Sequence, residues 1–197
     1  MKKIAVTLIV FTLICGSLGV SKVEAEKVER ITKRLEELRE ASLKEMNLSD
    51  YPPKNIDGFD KKESHQPSDT TLSVWGADAG WLTFWEASNS GYEVNYHDLM
   101  IDVYKFDTKN KASNAVINEM RSYGEISIES LNGLPVMMVT WEHEDSNSVD
   151  TFIGYYQENI VILIQASKDV MDGSVSPDQL LQEVKRAFRA IAAKGRQ

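Results

Sequence analysis

The stretch from residue 125 to residue 167 constrains the fold most. It reads as four apolar, strand-length segments, about 125–130, 135–142, 150–157 and 160–167, separated by short polar breaks. "LNGL", Leu131 to Leu134, contains Asn-Gly, a strong signal for a two-residue hairpin turn. "QEN", Gln157 to Asn159, is a second break, too short for the crossover that parallel strands need. Strands joined this tightly run antiparallel. "NIVILIQAS", Asn159 to Ser167, is apolar without alternation, as expected of a strand covered on both faces.

Three further strands are expected upstream, at 71–76, 80–87 and 97–106. In the last, "HDLMIDVYKF", Leu99, Ile101 and Val103 share one face, and Met100, Asp102, Tyr104 and Phe106 the other. A helix follows. Asp107 or Thr108 can cap it, Ala112, Ala115, Val116 and Met120 form its apolar stripe, and Gly124 suits its end. A final helix opens on "SPDQ", Ser176 to Gln179, with a serine cap and proline at the first helical position. Leu180, Leu181, Val184, Phe188 and Ile191 cover one of its faces, and Lys185, Arg186 and Arg189 are expected to point away.

The N-terminus reads separately. Lys2 and Lys3 precede an apolar run, and "VEA" at Val23 to Ala25 offers small residues around a cleavage point. This is the layout of a secretory signal peptide, with cleavage expected after Ala25. An uncleaved anchor is the competing reading, because the apolar stretch can be extended to Val20 and approaches the roughly 20 residues of a spanning helix. Either reading places the rest of the chain outside the cytoplasm, secreted or held by its N-terminal segment. Cys15, the single cysteine, lies within that segment, so neither a disulfide nor a cysteine nucleophile is expected beyond it.

Residues 26–48 follow as an amphipathic helix. Val28, Ile31, Leu35 and Leu38 form a stripe that could rest on the chain's own domain or pair with a partner helix. "YPP" at Tyr51 to Pro53 ends it, and the polar residues of 49–70 read as a linker. The expected organisation is therefore a signal peptide or anchor over 1–25, a helix over 26–48, a linker over 49–70 and a single domain over 71–197. The fold class is α+β: a mostly antiparallel sheet of about six or seven strands with two helices packed on it, preceded by the N-terminal amphipathic helix.

Charge excludes one class of partner. With 22 basic and 30 acidic residues the chain carries a net charge of −8, and no basic cluster offsets it, so nucleic acid is not an expected ligand. Membrane contact is expected only through an uncleaved N-terminal segment.

Three places could carry function. "VWGADAGWLTFW", Val74 to Trp85, holds three of the four tryptophans. Trp75, Asp78, Trp81 and Trp85 are the candidate ligand contacts, since indoles offer a large flat area and an N–H donor for sugar rings or apolar ligands. Burial in the core is the competing reading. "DSNSVD" supplies oxygen donors at Asp145, Asn147 and Asp150 for a weak calcium site, without the glycine and distal glutamate of a helix-loop-helix loop. His97, His143 and Glu142 could serve a metal-dependent or acid–base hydrolase if their strands were neighbours. The chain lacks a nucleophile elbow, a zinc-protease helix, a phosphate loop and a dinucleotide fingerprint, so no cofactor is expected. The leading reading is a non-enzymatic domain that binds a small molecule or an envelope protein. A scaffold working through its N-terminal helix is the next.

Overall fold

The computed structural model describes residues 22–39, 42–88, 97–143, 148–169 and 176–196. Seven strands make one sheet: β1 (Phe59–His65), β2 (Ala79–Ala87), β3 (His97–Lys105), β4 (Ser127–Leu131), β5 (Leu134–Glu142), β6 (Ser148–Gln157) and β7 (Ile160–Asp169). The spatial order is β1-β2-β3-β7-β6-β5-β4, and each neighbouring pair is antiparallel. Four α-helices lie among the described residues: α1 (Lys22–Glu37), α2 (Asp69–Trp75), α3 (Lys109–Tyr123) and α4 (Pro177–Lys194). The fold is α+β.

The β4–β5 turn is Asn132–Gly133, both at positive φ (53° and 71°), the conformation that Asn-Gly adopts readily. The β6–β7 turn is Glu158–Asn159, and the Asn159 side chain donates to the Phe106 carbonyl at 2.7 Å. Helix α3 carries the chain from β3 to the outer strand β4. The hairpins then return it until β7 pairs with β3. Interior β7 sends Ile162, Ile164 and Ala166 to one face of the sheet and Val161 and Leu163 to the other.

That alternation separates two apolar cores. One holds Leu99, Ile101, Val103, Ile162, Ile164, Tyr155 and the buried face of α4. The other holds Tyr104, Phe106, Val161, Phe152, Tyr156 and residues of α3, with α1 and α2 at its margin. The helices thus cover both faces of the sheet, and they number four rather than the expected two plus an N-terminal one. Gly154 permits the closest approach of α3. A Cβ there would stand 2.8 Å from Met120 Cγ and 2.9 Å from Val116 Cγ2.

Three expected boundaries are corrected. Residues 71–76, expected as a strand, lie within or at the end of helix α2. The Ser68 side chain caps it by accepting from the Thr71 N–H at 3.2 Å, and Gly76 closes it at φ 64°. The alternation of Leu72 and Val74 is too short to outweigh this start and this stop signal. Residues 49–70, expected as a linker, contribute the edge strand β1 and bury Tyr51 and Ile56. The N-terminal helix, expected over 26–48, ends at Glu37. Beyond it the chain passes the β6–β7 turn, where Arg39 lies 3.6 Å from Glu158. It then places Leu43 in the α4-side core, and the Lys44 N–H donates to the Gly195 carbonyl at 2.8 Å. Polar Ser42 and Glu45 occupy the positions where the helical stripe would have continued.

Helix α4 starts as its sequence specifies, with the Ser176 hydroxyl accepting from the Asp178 N–H at 3.2 Å and proline in the first turn. Lys185 departs from expectation. It is buried, and its ammonium group meets Glu129 at 2.8 Å. Phe188 is fully buried, edge-on to Tyr155 at 5.4 Å. Phe188→Ala is expected to cost about 3–5 kcal/mol in urea unfolding, through lost burial and the cavity left behind. A cost below about 1 kcal/mol would show that α4 is not packed as described.

Candidate functional site

Strand parity decides where the tryptophans go. Trp81, Thr83 and Trp85 point to the α4 side of β2, while Leu82 and Phe84 point to the α3 side. Trp85 is 1% exposed and belongs to the α4-side core. Thr83 is equally buried, its hydroxyl 3.1 Å from that of Ser64 on β1. Trp75 belongs to α2 and lies on the other side of the sheet, stacked on Tyr104 at 4.7 Å. The expected ligand set of Trp75, Asp78, Trp81 and Trp85 is therefore divided, because a sheet separates two of its indoles and one of these is in the core.

Trp81 and Asp78 do come together. Strand β1 pairs with β2 only as far as His65 opposite Leu82, which leaves Ala79, Gly80 and Trp81 without a strand on that edge. A cleft of about 360 Å³ opens there, lined by Leu48 and Ser49 of the 3-10 turn, by Asp69 and Leu72 of α2, and by Asp78 and Trp81. The half-buried Trp81 is held by its own N–H, which donates to the Ser64 hydroxyl at 2.7 Å. Asp78 is exposed, and its backbone N–H donates to the Lys105 carbonyl at 2.8 Å. Among the described residues neither Asp69 nor Asp78 is in an ion pair, so both carboxylates can accept from a ligand. The arrangement combines one indole, two acceptor groups, a hydroxyl and leucine walls.

The histidines form two unrelated pairs. His97 meets Glu183 of α4 at 2.7 Å and contacts Phe59 edge-on at 5.1 Å. His143 meets Asp150 at 2.7 Å and lies against the Trp141 ring at 3.9 Å. The first pair is on the α4 face and the second on the α3 face, so the sheet keeps them apart. Glu142 is exposed beyond both pairs. The expected hydrolase trio of His97, His143 and Glu142 is not assembled. Asp145 and Asn147, expected to bind calcium with Asp150, lie outside the described residues. Asp150 itself is buried against His143. Among the described residues no three His, Cys, Asp or Glu side chains are grouped to hold a metal ion.

Of the partner-helix stripe, Leu35 is buried in the chain's own α3-side core, and Val28 and Ile31 pack at its edge. Leu38 is half-buried in the turn that ends α1. The stripe rests on the chain's own domain, with Leu35 fully covered and Val28, Ile31 and Leu38 partly so. Among the described residues no helix is long and apolar enough to cross a membrane.

The α3 face also carries residues that the sequence reading did not single out. Tyr123 stacks on Phe152 at 4.1 Å, approaches Trp141 at 5.6 Å and donates to Glu119 at 2.7 Å. Burial pushes its hydroxyl well above the usual tyrosine range. Asp102 sits on β3 between Leu82 and Leu163 of the neighbouring strands. Burial raises its carboxyl to about 7. An acid flanked by apolar residues on a central strand was the available signal for Asp102. Nothing local marked Tyr123, because its partners come from distant strands.

No protein-family model matches this chain, and no curated protein matches it. Among solved structures, the extracellular domain of PknH from Mycobacterium tuberculosis is similar with a TM-score of 0.42 and 12% identity, covering 82% of this chain and 96% of that one. A protein from Bacteroides thetaiotaomicron VPI-5482 is similar with a TM-score of 0.39 and 9% identity, over 67% of this chain and 43% of that one. At these scores the likenesses assign neither a shared fold nor a role.

The Asp102 carboxyl has a measurable consequence. Its ordinary value is 3.8 and its folded value about 7, so between these pH values the unfolded chain releases a proton that the folded chain keeps. The cost to stability is absent below the lower value, grows with rising pH and is complete above the upper one. Asp102→Asn is therefore expected to gain stability over the unsubstituted protein from about pH 4 to about pH 8, by on the order of 2–4 kcal/mol. Urea midpoints at both pH values test this. A difference that does not change with pH would mean that the carboxyl is well solvated.

Proposed function

We propose that this chain is an extracytoplasmic, non-enzymatic domain that holds a small hydroxyl-rich ligand in the cleft beside Trp81. The observation that carries the reading is the convergence of Trp81 with the carboxylates of Asp69 and Asp78 on one cleft of about 360 Å³. That volume is at the small end of ligand sites, which run from roughly 300 to 1,000 Å³, and suits one sugar ring. An indole gives a sugar ring a flat apolar surface, and carboxylates accept its hydroxyl protons. Ser49 adds a group that can donate or accept. The compartment follows from the signal-like N-terminus, Lys2 to Ala25.

Saturation-transfer NMR of the full chain with a panel of monosaccharides, glucose first, tests this reading. At least one sugar is expected to receive saturation. Asp78→Ala is expected to weaken that sugar by about tenfold, the loss of one charge-assisted hydrogen bond. Transfer to no sugar, or transfer indifferent to Asp78→Ala, would overturn the assignment.

A further inference from the structure

A second concavity lies on the α3 side, away from Trp81. It is a groove of about 520 Å³ between α1, the C-terminal end of α3 and the start of β4. Ile31, Ile126 and Ile128 are half-buried along it, their exposed sides forming an apolar floor. Lys27, Arg30 and Arg121 stand around that floor, with Glu125 as the one carboxylate in the lining. Among the described residues none of the three cations is in an ion pair. The Arg30 Nε–H donates only to the Glu26 carbonyl, at 3.3 Å. In a chain of net charge −8, this is a place where positive charge gathers on exposed apolar surface.

We propose that this groove binds a single-chain anionic amphiphile, with its carboxylate among Lys27, Arg30 and Arg121 and its acyl chain over Ile31, Ile126 and Ile128. Charge complementarity selects the head group. Guanidinium groups pair with a carboxylate through parallel N–H donors, and two of them line the groove. The floor selects the tail. A free inorganic anion would gain only screened attraction from exposed cations, whereas an acyl chain also removes the isoleucine surfaces from water. An acidic peptide matches the rim but leaves the floor uncovered. The site shares no residue with the cleft beside Trp81, so either reading can fail alone.

Calorimetric titration of the full chain with monomeric decanoate tests the proposal. Saturable one-to-one binding is expected, with no comparable binding of acetate or decyltrimethylammonium. The Arg30→Glu/Arg121→Glu variant is expected to bind decanoate about tenfold more weakly or worse. Arg30 is exposed and Arg121 half-buried, so far-UV circular dichroism and a urea midpoint check that the variant is folded. Decanoate taken up by the apolar N-terminal residues would bind the variant equally, and that result would overturn the proposal. Equal binding of acetate, or tighter binding of a polyglutamate peptide, would also overturn it. The first would reduce the groove to a generic anion patch, and the second would make it a protein-docking surface.

Discussion

The requirement that β7 be covered on both faces organises this molecule. A strand reading Val161, Ile162, Leu163, Ile164 sends an apolar side chain to each face in turn, and an antiparallel sheet with one wet face could not bury them all. Helix α4 covers one face and α3 the other. The N-terminal part then fills what these two leave open. Helix α1 rests beside α3, and the segment through Leu43 and Tyr51 crosses to the α4 side. There the Lys194 ammonium donates to the Asp50 and Pro52 carbonyls and ties that segment to the end of α4.

A sheet covered on both sides is also a barrier between side chains that are close in sequence. His97 at the start of β3 turns to Glu183 of α4, while His143 just after β5 turns to Asp150 of β6 and the aromatic group around Tyr123. Each imidazole is engaged by one carboxylate, which favours a local structural role. Trp85 and Trp81 share a face of β2, but Trp85 is in the core while Trp81 lies where pairing with β1 has stopped. Concave surface therefore gathers at the margins, where helix cover or strand pairing ends. The cleft beside Trp81 lies at the β1 edge, and the cationic groove at the β4 edge.

The sheet interior is not uniformly apolar. Asp102 sits among leucines on β3, and Asp98 is buried four residues earlier on the same face. Carboxyls at such positions oppose folding at neutral pH unless protonated or hydrogen-bonded.

The sequence by itself determined the antiparallel β4–β7 hairpins, the start of α4 and the α+β class. Those signals are local: Asn-Gly admits positive φ, serine and proline open a helix, and a turn too short for a crossover forces reversal. It also marked Trp81 and Asp78 as residues to watch. Only the tertiary structure decided which indole reaches the cleft, which face each histidine serves, and that residues 49–70 join the sheet. Edge strand β1, "FDKKESH", is mostly exposed, so it carries little apolar pattern and takes its identity from pairing with β2. Helix α2 hid behind a brief alternation that its serine cap and Gly76 override. Parity, edge position and the meeting of distant residues depend on register between strands far apart in the chain, and register is set by packing rather than by any local run of residues.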